Sequence, residues 1–156
     1  MSVESNVRIR PIAATDPVRL VEIAAALDQA PHWPRRVFDA LLHPFSPKRL
    51  AVIAEDSATG AVVGFAVAGL MAPEAELESI AVSIEYQRRG VARRLYEVMA
   101  DELRRSQVRE VLLEVRESNQ AARAFYTSLG FVEEGRRPSY YADPVEDAVL
   151  MRMQLR

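Results

Sequence analysis

Residues 75–90 read AELESIAVSIEYQRRG and continue as VARRLYEVM, and no other stretch restricts the chain as much. Ile80, Ala81 and Val82 close an apolar strand. Gln87-Arg88-Arg89-Gly90-Val91-Ala92 then turns the chain into a helix whose apolar face is Leu95, Val98, Met99 and Leu103. A strand that enters a helix through a glycine turn leaves backbone N–H groups unpaired and pointing outward. With the helix dipole behind it and two arginines in it, such a nest suits a phosphate group. Gly90 removes a side chain where backbone must come close to a ligand. The same residues also read as an ordinary strand-to-helix loop carrying solvated arginines.

The flanking sequence gives a mixed α/β order. Residues 6–12 read as a first strand. Thr15-Asp16-Pro17 reads as a helix start, a capping side chain followed by proline at the first helical position. Leu20, Ala24 and Leu27 follow at helical spacing. Pro31 and Pro34 break that helix, and residues 35–42 form a second short one, stopped before Pro44. Residues 50–54 and 61–70 read as a hairpin, and Ala72-Pro73 turns into the strand 75–83. Residues 108–116 alternate strictly, Val111, Leu113 and Val115 against Leu112, Glu114 and Arg116. Ser118 is placed to cap the next helix, striped by Ala122, Phe125, Tyr126 and Leu129 and ended by Gly130. Residues 131–135 and 148–155 are final strands, joined by a polar, aromatic connection over 136–144.

A chain of 156 residues, 49% hydrophobic and 27% charged, has the composition of one globular domain, expected to span 1–156. The formal net charge of -2 argues against a free-standing nucleic-acid binder. There is no cysteine, which excludes disulfides, a thiolate nucleophile and Cys-ligated zinc. His32 and His43 have no metal-ligand spacing, so no metal is expected. Lys48 is the only lysine beside 19 arginines, a bias of the source rather than a site. Charges begin at Glu4 with no apolar run behind them, and the apolar run 61–72 is too short to span a bilayer. A soluble, cytoplasmic protein without a membrane partner is the expectation.

Gln87-Arg88-Arg89-Gly90-Val91-Ala92 resembles the Q/R-x-x-G-x-G/A motif of the GNAT superfamily of acyl-coenzyme A N-acyltransferases. Leu113-Glu114-Val115-Arg116, Ser118-Asn119, Ala124-Phe125-Tyr126 and Ser128-Leu129-Gly130-Phe131 are similar to one branch, the bacterial ribosomal-protein-alanine N-acetyltransferases of the RimI type. Arg137, Tyr140-Tyr141 and Glu146-Asp147-Ala148 fit that branch too, and the likeness covers residues 49–155. In the first helical region the branch often has a Phe-Pro-Trp segment preceded by a glutamate; in Gln29-Ala30-Pro31-His32-Trp33 the tryptophan is kept, the phenylalanine is absent and the glutamate register is lost.

The resemblance implies the GNAT fold, about seven strands and four helices with a splay between the fourth and fifth strands. It implies acetyl-coenzyme A as co-substrate, its pantetheine arm on the backbone of Ile80, Ala81 and Val82. Gln87, Arg88, Arg89, Gly90, Val91, Ala92 and Arg93 would hold its pyrophosphate, and Asn119 would contact it near the thioester. Glu114 is implied as general base, with Glu76 as alternative and Glu78 as a third choice on the same face if the strand has no bulge. On the residues alone Glu114 equally reads as a surface glutamate paired with Arg116. Tyr126 is implied as general acid, although it also belongs to the apolar stripe of its helix. Trp33, Tyr140 and Tyr141 would lie beside the acceptor, either tyrosine facing it; Trp33 equally reads as a packing plug.

The implied acceptor is the N-terminal α-amino group of a protein, a ribosomal one that begins with alanine. An α-amine has a pKa of about 7.7–8.0, so roughly a tenth is neutral at pH 7, against about one lysine in a few thousand. It needs less help from a base, by roughly 3 kcal/mol. A small-molecule or aminoacyl amine is the alternative acceptor, and a non-catalytic acyl-coenzyme A-binding module the alternative class.

Overall fold

The computed structural model describes residues 6–43 and 48–156. Pro44, read above as a helix stop, and Glu4, read as the start of the charges, lie outside them. In chain order the elements are β1 (Val7–Pro11), α1 (Pro17–Ala25), α2 (Arg35–Ala40), β2 (Arg49–Asp56), β3 (Val62–Met71) and β4 (Glu74–Val82). They continue with α3 (Val91–Arg105), β5 (Glu110–Arg116), α4 (Gln120–Leu129), β6 (Val132–Tyr141) and β7 (Glu146–Gln154). The strands form one sheet in the order β1-β2-β3-β4-β5-β7-β6. This is the mixed α/β architecture expected, with seven strands and, among the described residues, four α-helices. No helix among them is long and apolar enough to cross a membrane.

The strand VVGFAVAGLM of β3 is buried from Val62 to Ala68, as a run apolar on both faces must be. One face packs under α3 through Leu95, Met99 and Leu103, which meet Ala66, Leu77 and Val111. The other packs under α1 and α2, where Leu20, Ile23 and Phe38 meet Ile53, Phe65 and Val67. All neighbouring strands are antiparallel except β4 and β5. That parallel pair holds at Glu74↔Glu110, Ala75↔Val111 and Glu76↔Leu112 and has no register beyond. The two strands therefore splay, as the family resemblance implies. On its other side β5 is paired with β7 along its whole length, from Glu110↔Gln154 to Arg116↔Ala148.

β4 carries a bulge. Val67 pairs with Ser79 but Ala68 pairs with Leu77, so Glu78 is the extra residue. Ala75 and Leu77 face the α3 core; beyond the bulge Val82 faces it and Ala81 turns to the α1–α2 core.

Three local readings are corrected. Asp16 does not cap α1: its carboxylate accepts two bonds from Arg10 (2.8 and 2.9 Å) and one from the Ala13 N–H (2.7 Å). Pro17 does take the first helical position. The cap of α4 is Asn119, whose Oδ1 accepts from the Ala122 N–H at 3.1 Å, whereas Ser118 gives its own N–H to Glu146. The connection over 136–144 is largely strand: β6 runs on to Tyr141, with its register slipping between Arg137↔Ala148 and Tyr141↔Glu146.

Candidate active site at the splay

The gap between β4 and β5 opens into a cavity of about 890 Å³ that also takes in the loop before α3, the start of α4 and residues 27–31. Its end beside the start of α3 is built by backbone. Arg88 and Gly90 both have left-handed dihedrals, φ 62° and 77°. A Cβ on Gly90 would meet nothing within 4 Å, so glycine is needed for its φ and leaves open space in front of it. Arg94 is the residue whose N–H reaches the Gly90 carbonyl at 3.1 Å. The N–H groups of Val91, Ala92 and Arg93 come before that first helical bond, where a helix start leaves donors open. The Gln87 side chain ties the loop to the end of β4, donating to the Val82 carbonyl at 2.9 Å.

Most of the residues singled out from the sequence converge here. Ile80, Ala81, Val82, Gln87, Arg88, Gly90, Val91, Ala92, Arg93 and Asn119 all line the cavity. Glu114, Tyr126 and Tyr141 line it as well. Arg89 does not; its guanidinium lies 5.0 Å from the Tyr86 ring centroid, outside the lining. Tyr126 packs edge-on against Phe131 at 5.7 Å, and burial pushes its phenol well above the usual tyrosine pKa. That shift favours the protonated phenol.

A second cavity, of about 430 Å³, adjoins the first and shares Glu78, Leu113 and Glu114 with it. It is acidic, with Glu74, Glu76 and Glu134 as well as the shared pair, set against Lys48, Arg49 and Arg137. Glu114 faces Arg137 at 3.4 Å, not Arg116, which pairs with Glu146 at 3.2 Å. Glu76 has its carboxyl pushed up, first by burial and then by the charges of Glu114 and Glu78, against the opposing pull of Arg137 and Arg49.

The two tyrosines divide. Tyr141 is half-buried in the first cavity, with the Arg116 guanidinium 4.4 Å from its ring centroid. Tyr140 lines neither cavity and is 49% exposed; hydrogen bonding to the Glu114 carboxylate and that group's charge push its phenol up. Trp33 also lines neither: it packs on Phe38 at 5.5 Å and lies under Arg49, as a packing plug does.

Sequence reasoning missed the Arg49–Glu78 pair, the lining residues 27–31 and the Ser79 hydroxyl, which is buried without a hydrogen-bond partner. The glutamate run Glu74, Glu76 and Glu78 was the available signal for the first; the other two depend on which elements the fold brings together.

The arrangement pairs a nest suited to an anion and an open strand edge with an acidic pocket suited to a cationic amine. The [Ribosomal protein bS18]-alanine N-acetyltransferase of Escherichia coli K12 is 44% identical over 98 residues, 62% of this chain and 66% of that protein. The matched segment thus spans just under two thirds of that relative. The crystal structure of the ribosomal-protein-S18-alanine N-acetyltransferase from Escherichia coli superposes with a TM-score of 0.80 at 33% identity, covering 96% of this chain and 94% of that one. Ard1 from Thermoplasma volcanium superposes with a TM-score of 0.84 at 27% identity, covering 97% and 99%. Residues 19–131 match the profile described as Acetyltransferase (GNAT) family, and the chain belongs to that family.

Proposed function

We propose that this chain transfers the acetyl group of acetyl-coenzyme A to the N-terminal α-amino group of a protein, a ribosomal protein that begins with alanine. The observation that carries the reading is the junction of the two cavities at Glu114. One cavity has the unpaired β4 edge and the nest that an acyl-coenzyme A requires; the other presents carboxylates to an ammonium. The relatives' names supply the acceptor class.

Each residue then has a task. The backbone of Ile80, Ala81 and Val82 completes a sheet-like edge with the pantetheine arm. The N–H groups of residues 88–93 and the Arg88 and Arg93 side chains hold the pyrophosphate, with Gln87 bracing the loop and Arg89 adding charge from outside. Asn119, fixed as the α4 cap, stands near the thioester. Glu114 takes the proton that the amine loses as its nitrogen bonds the acetyl carbon. Tyr126 gives a hydrogen bond, and finally its proton, to the sulfur as the C–S bond breaks. The lining tyrosine Tyr141 and the Glu114-bound Tyr140 flank the acceptor's first residues, and Trp33 supports that side through Arg49.

Thiol release from acetyl-coenzyme A tests this. Turnover with an Ala-starting ribosomal peptide and none with its N-blocked twin is the expected result. Equal turnover with the blocked peptide, or turnover only with a small amine, would move the acceptor to another class.

A further inference from the structure

Glu78 is the residue that the bulge adds to β4, and several elements converge on its carboxylate. Arg49 of β2 grips both oxygens, Nε to Oε1 at 2.8 Å and Nη2 to Oε2 at 3.0 Å. Gly69 of β3 leaves the room: a Cβ there would stand 3.0 Å from Oε1. Trp33, just before α2, carries the Arg49 guanidinium 5.8 Å from its ring centroid. The two paired side chains are only 25% and 19% exposed. Glu78 and Glu114 are the two carboxylates that line both cavities. A forked guanidinium uses one acceptor direction on each oxygen, and a carboxylate has about four, so two remain for a ligand.

We propose that Glu78 is an acceptor-binding residue and Arg49 its positioning residue. The fork holds the carboxylate at the junction of the cavities, where its free acceptor directions take the acceptor's ammonium and steady it beside Glu114. Planarity matters here: a lysine at 49 would keep the charge but lose the two-point grip. This inference rests on the amine-transfer reading above.

The test compares wild type with Glu78→Gln, Arg49→Lys and Gly69→Ala. Their KM for an Ala-starting peptide and for acetyl-coenzyme A is measured, with calorimetric binding of the peptide to the coenzyme A-loaded protein alongside. Glu78→Gln should raise the peptide KM and Kd roughly tenfold or more, the worth of one hydrogen bond to a charged group. The KM for acetyl-coenzyme A should stay unchanged. Arg49→Lys and Gly69→Ala should move the peptide values in the same direction, and they decide alone if Glu78→Gln does not fold. Peptide values unchanged in all the folded variants would overturn the proposal. So would an equal rise for acetyl-coenzyme A, because the pair would then only brace the strand. Peptide binding that depends on Glu78 in a protein without turnover would keep Glu78 and remove the catalytic reading. Turnover without any dependence on Glu78 would do the reverse.

Discussion

Glu114 and Glu76 stand on adjacent strands in one acidic cavity, and their surroundings separate them. Glu114 has Arg137 at 3.4 Å and the Tyr140 hydroxyl beside it, and it lines both cavities. Glu76 lines only the smaller one. Exchange of Glu114 for Gln is expected to lower kcat by about 10²–10⁴-fold, the usual worth of a general base, with Glu76→Gln far milder. Steady-state rates on the two variants check this; the opposite ranking would make Glu76 the base. Glu76 has a second expected signature. Its carboxyl is pushed up in the fold, so the native state holds a proton that the unfolded chain releases. Stability is then lost as pH rises through the window that begins at the ordinary value of 4.5. Glu76→Gln should therefore raise Tm at pH 7, and the gain should vanish below that window in thermal melts across pH. Tyr126 gives a different pH result. Because burial lifts its phenol far above the ordinary value of 10.0, kcat should show no alkaline fall from this group near pH 10. Tyr126→Phe should lower kcat at every pH instead; an unchanged kcat would contradict the acid role, and a wild-type limb near pH 10 that Phe abolishes would contradict the raised phenol.

At the scale of elements, the splay depends on how β4 and β5 end their pairing and on how two helices begin. Gly90→Ala forces a side chain into left-handed backbone, at a cost of about 1–2 kcal/mol. Since a Cβ there would meet nothing within 4 Å, the loss should come from the backbone alone and should appear mainly as weaker coenzyme A binding in calorimetry. The strands themselves were legible from alternation, Val111, Leu113 and Val115 above all, and the nest from its glycine and arginines. The bulge was not read, although AELESIAV carries its trace: Glu78 and Ser79 stand together, and the apolar positions shift from Ala75 and Leu77 to Ile80 and Val82. Which residue is extra is set by the partner strand, where β3 pairs Val67 with Ser79 and Ala68 with Leu77. Asp16 failed as a cap for a related reason: Arg10, on β1, claims its carboxylate. Local rules see the neighbours in sequence, and a partner brought in by the fold outbids them.

The whole molecule is a sheet with a core on each face, and the site lies where neither core fills the gap. Phe38 is fully buried against Phe65 at 5.6 Å in the α1–α2 core, so Phe38→Ala is expected to cost about 3–5 kcal/mol in denaturant unfolding. Order and type of most elements were readable from periodicity or from a buried apolar run such as β3, whereas the polar, aromatic residues that extend β6 to Tyr141 gave no strand pattern. The placing of residues 27–31 against the larger cavity was not readable, since nothing local ties that loop to β4. The two cavities that meet at Glu78, Leu113 and Glu114 carry a kinetic consequence. If the proposed reading holds, donor and acceptor have separate berths, both can be resident at once, and the protein never needs to store the acetyl group on itself. Initial-rate lines at several fixed donor concentrations should intersect rather than run parallel, and a pulse of labelled acetyl donor should leave no label on the chain.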